Sequence, residues 1–372
     1  MIYAPTIMAA PSTRVRAGEV NSTAQSWLIA LALVLAGGQW AHGLIAQQRA
    51  PGDTQKTNGA EKTIGADKPI GAPLETIQIR PNVWVIFGTG SNVTVHVGED
   101  GVILVDSGAA AMADALLNAV KVITTQPIRM IINTSADADH VGGNDKVGAA
   151  GVAINPDSFS DEEHATVLAH ENVLVRMSTP KGPGNPGDNA TLFPVAMWPN
   201  ETFTSKFRSM YLNDDAIQVM REIGAHSDGD SMVFFRRADV IATGDILDLR
   251  HFPVIDPAKG GSIQGELASL NRLLDVTLPA MPLVLKPGRT LLVPGHGRIS
   301  DYGELVEYRD MVTVIRDIIG DMIGKGMTLE QVKAANPTQG YRRRYGADSG
   351  PWTTDMFVEA IYNGLKKPAG KS

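Results

Sequence analysis

Apolar residues between positions 82 and 132 fall in short blocks, and turn-forming residues cut the blocks apart. Asn82 to Phe87, Asn92 to Val97 and Val102 to Val105 predict three strands, with Glu99-Asp100-Gly101 as the hairpin turn before the last of them. After Asp106-Ser107-Gly108 an alanine-rich stretch to Val122 predicts a helix, and Ile128-Arg129-Met130-Ile131-Ile132 a buried strand. Further on, the polar-apolar run Met210 to Ile223 precedes three more predicted strands. These are Ser231 to Phe235, Val240 to Asp245, and Leu291 onward into Pro294-Gly295-His296-Gly297. Glu162 to Val173 carries polar and apolar residues at helical spacing. From Asp301 the chain is helical in pattern: Leu305 to Met322 is amphipathic, Thr328-x-x-Gln331 makes a capping box, and Thr353 to Leu365 repeats apolar residues at helical intervals.

The two ends of this pattern differ from its middle. Near the amino terminus Trp27 to Gly38 is an apolar run of about a dozen residues behind Arg14 and Arg16, short of the ~20 residues that span a bilayer. It predicts a signal peptide over residues 1–46, with Ala46-Gln47 as the cleavage point, or an uncleaved anchor if Gln39 to Ile45 extends the run. Export to the periplasm or the exterior follows in either case. Residues 47–75 turn to Lys, Gly, Pro, Thr and Asp, with a near repeat of Lys62-Thr63-Ile64-Gly65-Ala66 in Lys68-Pro69-Ile70-Gly71-Ala72. Such a segment buries too little apolar surface to order itself and predicts a flexible tether.

Candidate chemistry sits at the ends of the predicted strands. Asn133-Thr134-Ser135-Ala136-Asp137-Ala138-Asp139-His140-Val141-Gly142-Gly143-Asn144 follows one of them, and in it Asp137, Asp139 and His140 have the spacing at which a turn delivers donors to one divalent ion. Ser135 offers only a neutral hydroxyl, a weak zinc ligand. Later donors are His226 in His226-Ser227-Asp228-Gly229-Asp230, Asp245 after Gly244, and His296 between two glycines. Among the other histidines, His96 lies mid-strand and fits a satisfied sheet residue, and His164 and His170 have the spacing of surface or packing residues. Lys181 to Gly187 reads as a connecting loop, Phe193 to Trp198 as a source of pocket contacts, and Tyr341-Arg342-Arg343-Arg344-Tyr345 as a solvated basic face.

The order Asp106-Ser107-Gly108, Asp139-His140-x-Gly142-Gly143, His226, Gly244-Asp245 and Gly295-His296-Gly297 resembles the metallo-β-lactamase superfamily over roughly residues 76–300. The resemblance implies an α/β chain folded as a four-layer αββα sandwich, with residues 301–372 as helices packed on the core. It places Ser135 and Asp137 where the family's motif has its two leading histidines. The implied first metal site then keeps His226, Asp245 and Asp137. The implied second site, Asp139, His140 and His296, is complete, and Asp245 bridges the two. Zn2+ is the implied cofactor, as one or two ions, with iron or manganese open because carboxylate donors suit harder ions. Asp139 is the implied catalytic residue, orienting a metal-bound hydroxide. Asp106 is an expected outer support of the loop. His170 is a further outer-site candidate, since related members resemble Ala169-His170-Glu171-Asn172.

Composition narrows what such a site acts on. The formal net charge of -7 over 372 residues argues against a nucleic-acid partner, which would need a clustered basic face. No cysteine is present, so disulfides, thiolate ligands and iron-sulfur clusters are excluded. The expectation is an exported hydrolase of small-molecule esters, lactones or amides, β-lactams included, with an altered and asymmetric first site. Membrane contact arises only if the amino-terminal segment stays uncleaved. The alternative is a non-catalytic or ligand-binding member of the fold, in which Ser135 and Asp137 mark lost binuclear activity.

Overall fold

The computed structural model describes residues 73–154, 164–180, 192–280 and 288–366. The expected export segment, the tether up to residue 72 and the Lys181 to Gly187 loop lie outside the described residues.

Short turns and long crossovers divide the first sheet. β1 (Glu75–Arg80), β2 (Val83–Thr89), β3 (Ser91–Gly98) and β4 (Gly101–Val105) follow one another through tight connections and pair antiparallel. The Glu99-Asp100 turn closes between Gly98 and Gly101, which face each other in register. After β4 the chain crosses over through α1 (Ala113–Ile123) to β5 (Ile128–Ile132), then through α2 (Ala138–Val141) and α3 (Asn144–Ala149) to β6 (Thr166–His170). Next come α4 (Glu171–Ser178) and β7 (Glu201–Phe203), and β4 to β7 pair parallel. The seven strands lie in sequence order.

The second sheet runs β12-β11-β10-β9-β8, built from β8 (Phe207–Leu212), β9 (Asp215–Arg221), β10 (Ser231–Phe235), β11 (Val240–Asp248) and β12 (Leu291–His296). Its pairs are antiparallel except β11 with β12, which the crossover helix α5 (Ile263–Val276) makes parallel. After β12 come α6 (Tyr302–Gly324), α7 (Leu329–Ala334), α8 (Arg342–Tyr345) and α9 (Thr354–Lys366).

Three buried layers fix the order helix, sheet, sheet, helix. Val83, Val85, Ile103 and Ile132 of the first sheet meet Val219, Val233, Val240 and Val293 of the second between the two. Alternate residues of the first sheet, among them Ile86, Val95, Leu104 and Ile131, pack against Leu116 and Val120 of α1 and Val147 of α3. On the far side, Met220, Met232, Ile241 and Leu292 pack under Leu270 of α5, Tyr308 and Ile315 of α6, and Phe357 and Ile361 of α9. The chain is therefore an αββα sandwich with its carboxyl-terminal helices packed on the outer face of the second sheet. The capping box is present, Thr328 and Gln331 exchanging bonds at the start of α7.

One predicted element changes type. Within the stretch expected to be helical, Thr166–His170 is strand and only Glu171 onward is helix. The strand lies between β5 and β7, buried on both faces, so it lacks the alternation that marks a half-exposed strand. β1, β8 and α5 join the predicted elements. His96 is a satisfied sheet histidine: it is buried, bonded to Asn82 at 2.9 Å and stacked on Phe235.

Candidate metal centre

The carboxyl ends of β4, β5 and β12 and the carboxyl half of β11 converge on one edge of the sandwich; β11 was expected to end at Asp245 but runs on to Asp248, so Asp245 is delivered from within the strand. The loop from Asn133 to Asn144 leaves β5 and is pinned at both ends by its terminal asparagines. Asn144 Nδ2 donates to Asn133 Oδ1 (2.8 Å), and Asn133 Nδ2 and Ser107 Oγ both donate to Asn144 Oδ1 at 3.1 and 2.8 Å. Gly143 is needed where the loop passes β4, because a Cβ there would strike the Ser107 carbonyl.

Asp106 organises the loop from below. Its backbone is left-handed (φ 65°), which aims its carboxylate up into the loop. Oδ1 accepts from the Thr134 amide at 2.8 Å. Oδ2 accepts from Thr134 Oγ1 at 2.7 Å and from His140 Nδ1 at 2.8 Å. Holding Nδ1 in this way fixes the His140 ring and turns Nε2 toward the other strand ends.

Two groups of donor atoms result. Asp139, His140 and His296 form one and Asp137, His226 and Asp245 the other, the donor atoms of each lying within 4.8 Å of one another. Asp245 joins the groups: its Oδ2 is 3.2 Å from His140 Nε2 and its Oδ1 3.5 Å from His296 Nε2. On the same side Asp139 Oδ2 is 3.1 Å from His296 Nε2. Gly295 makes this approach feasible, since a Cβ there would sit 2.5 Å from Asp245 Oδ1 and 3.0 Å from His140 Cε1.

The groups differ in how their donors are engaged. Around the first-named group, His140 Nε2 and the adjoining Oδ1 of Asp245, which joins the two groups, are buried with no hydrogen-bond partner; the 3.2 Å approach of His140 to Asp245 is close but not aligned. Buried polar atoms left so are rare and costly unless something binds them. Two imidazoles and two carboxylates around such atoms fit a divalent ion. In the other group the protein's own donors are already in place. His226 Nε2 donates to Asp137 Oδ2 at 2.6 Å, Lys259 Nζ donates to Asp137 Oδ1, and His226 Nδ1 faces the Val254 carbonyl at 2.8 Å. Ser135 is 1% exposed, and its Oγ accepts from the Asp137 amide at 3.3 Å, a local turn bond.

Electrostatics follow from these neighbours. Burial opposes the charge of both partners throughout, and the close opposite charges outweigh it. The His140 imidazole is held well above its ordinary value against burial by Asp245 and Asp106, and Asp245 is held well below its own, chiefly by His140. Asp139 is lowered by its bond to His296 and by His140. His226 is raised to about 10 by Asp137, Asp245 and Asp230, burial notwithstanding.

All six donors named from the sequence meet here, with Asp106 behind His140. His170 stands apart from both groups. Its Nδ1 accepts from the Asn172 amide at 3.1 Å as the cap of α4, and its ring lies edge-on to Phe203. Lys259 was not anticipated. Its short turn, Asp256-Pro257-Ala258-Lys259-Gly260, carries a clear turn pattern, but only the fold brings it 122 residues back to Asp137. Beside it a cleft of about 360 Å³ is lined by Ala136, Asp137, Ala138, Arg176, Leu192, Phe193 and Lys259.

A sandwich of this layering, with paired His and Asp groups that could hold metal ions, has the architecture of the αββα metallo-hydrolase fold. Residues 86–308 match the model of the metallo-beta-lactamase superfamily, and the chain belongs to that family. No curated protein matches the sequence. Among solved structures the chain is similar to a sec-alkylsulfatase, the stereoselective inverting Pisa1 from Pseudomonas sp., at 16% identity and TM-score 0.54, covering 80% of this chain and 52% of that one. A double mutant of the sec-alkyl sulfatase PisA1 matches at 15% identity and TM-score 0.55, with the same coverage of 80% and 52%. A metallo-beta-lactamase from Pontibacter korlensis matches at 18% identity and TM-score 0.48, covering 64% of this chain and 99% of that one. The chain thus spans about half the length of the alkylsulfatases it matches.

Proposed function

We propose that the protein is an exported metal-dependent hydrolase that cleaves an ester, lactone or amide bond of a small molecule from the Asp139, His140 and His296 side of its centre. The observation that carries this reading is the pair of buried donor atoms without hydrogen-bond partners, His140 Nε2 and Asp245 Oδ1, facing a second imidazole, His296, and a second carboxylate, Asp139. Asp139, His140, His296 and Asp245 would hold a divalent ion, zinc in the first instance, and the chemistry it would supply there is activation of water at neutral pH and polarisation of the bond to be cleaved.

The chain's own residues do the rest. Asp106 keeps His140 in one tautomer and one orientation. Asp139 is more than a third exposed along its side chain, so its carboxylate orients the attacking water from the solvent side. The adjoining cleft presents Leu192 and Phe193 to an apolar part of the substrate. The intact donors Asp139, His140 and His296 favour this reading over a catalytically inert relic of the fold, which has no need of them.

The test is turnover of an ester, lactone, amide, β-lactam and sec-alkyl sulfate panel by the zinc-, iron- and manganese-reconstituted protein. The reading expects one class to be turned over and Asp139→Ala and His296→Ala each to abolish that turnover. Activity surviving in both variants overturns it.

A further inference from the structure

We propose that the Lys259 ammonium, bound to Asp137, is the resident counter-cation that withholds this carboxylate from a second metal ion, so that the chain takes up one divalent ion per molecule. The inference rests on the metal-hydrolase reading above and goes beyond it to a residue that no motif marks.

The geometry of Asp137 carries it. The carboxylate has two oxygens, and both are engaged by the protein: Oδ2 by His226 Nε2 at 2.6 Å and Oδ1 by Lys259 Nζ. His226 in turn faces an acceptor with each ring nitrogen, Asp137 Oδ2 and the Val254 carbonyl. A metal entering this group would have to displace the ammonium from Asp137. On the other side of Asp245, His140 Nε2 has no aligned hydrogen bond, its nearest partner being Asp245 Oδ2 at 3.2 Å.

Lys259 is also held in place by its backbone. Its amide donates to the Asp256 carbonyl at 3.1 Å and to Asp256 Oδ1 at 3.2 Å, its carbonyl accepts from the Asp228 amide at 2.9 Å, and Gly260 ends the turn at φ 85°. Asp228 is itself gripped by Arg176 through two bonds of 2.8 and 2.7 Å. The ammonium then lies 3.4 Å from Asp256 Oδ2 as well, between two carboxylates, with its outer side on the cleft. A carboxylate at position 137 and an ammonium against it form a neutral pair. Position 137 therefore gains an anionic ligand type without gaining affinity for a further ion.

The test is metal content, read independently of activity. The purified full chain is loaded with excess Zn2+, dialysed, and its zinc counted by mass spectrometry, with calorimetric stoichiometry alongside. The wild type is expected to hold one ion. Lys259→Met and Lys259→Gln, each checked for folding by circular dichroism, are expected to hold two, and Lys259→Arg one. Two tight ions in the wild type, or one ion in both neutral variants, overturn the role of Lys259 and leave the hydrolase reading standing. No ion in the wild type overturns the metal reading itself, and this inference with it.

Discussion

Asp106 shows how one side chain sets the chemistry of another. It touches no substrate, yet its Oδ2 accepts at once from His140 Nδ1 and Thr134 Oγ1. Removing it frees the His140 ring to rotate and to change tautomer, and leaves the Thr134 amide and hydroxyl without their acceptor. Asp106→Ala is expected to weaken zinc binding by about 10–100-fold, as losses behind a ligating histidine do. Competition against a chromophoric chelator measures this, and unchanged affinity would count against a positioning role. Lys259 belongs to the same scale. Its effect reaches the centre through Asp137 alone.

At the scale of elements, the centre depends on how closely β11 and β12 bring Asp245 and His296 to the loop after β5. Gly295 is the tightest point of that approach. Gly295→Ala presses on Asp245 Oδ1, on the Gly244 backbone carbon of β11 at 2.9 Å and on His140, and is expected to remove zinc binding and turnover together, with folding checked by circular dichroism. A variant that keeps full zinc affinity would show that the approach has slack the structure does not display.

The same elements show what could be read in advance. Asp245 and His296 were legible because each follows a short apolar block and a glycine, as in Thr243-Gly244-Asp245 and Pro294-Gly295-His296, although β11 runs on past Asp245 to Asp248. Thr166–His170 was not, since a short strand buried in a parallel sheet has neither alternation nor length to tell it from a helix. Lys259 was illegible for another reason. Its partner Asp137 is distant in sequence, and no local spacing encodes a long-range ion pair. Asp137 could be marked as an altered ligand position, but its saturation by His226 and Lys259 is a property of the assembled loops alone.

Burying an acid carries a cost in the stability of the whole molecule. Burial lifts the Glu222 carboxyl from an ordinary 4.5 to about 7, although Arg272 Nε is only 3.1 Å away. That pair is close but misaligned, since both atoms lack a hydrogen bond. The folded-state value lies above the unfolded one, so the folded form binds the extra proton. The stability this group contributes is therefore full below about pH 4.5 and lost as pH rises through about 7. Glu222→Gln removes the dependence. Its melting temperature relative to the wild type is expected to rise between pH 5 and pH 8, and a difference that stays constant across that range would contradict the assignment.

The fold, the family and the donor geometry meet in one claim, that turnover depends on an ion held by Asp139, His140, His296 and Asp245. The most direct test takes the substrate that the panel identifies and measures its hydrolysis by the same purified protein as prepared, after exhaustive chelation, and after zinc is added back. The account predicts that turnover falls to background on chelation and returns in proportion to the zinc restored. Hydrolysis that persists undiminished in metal-stripped protein would contradict it.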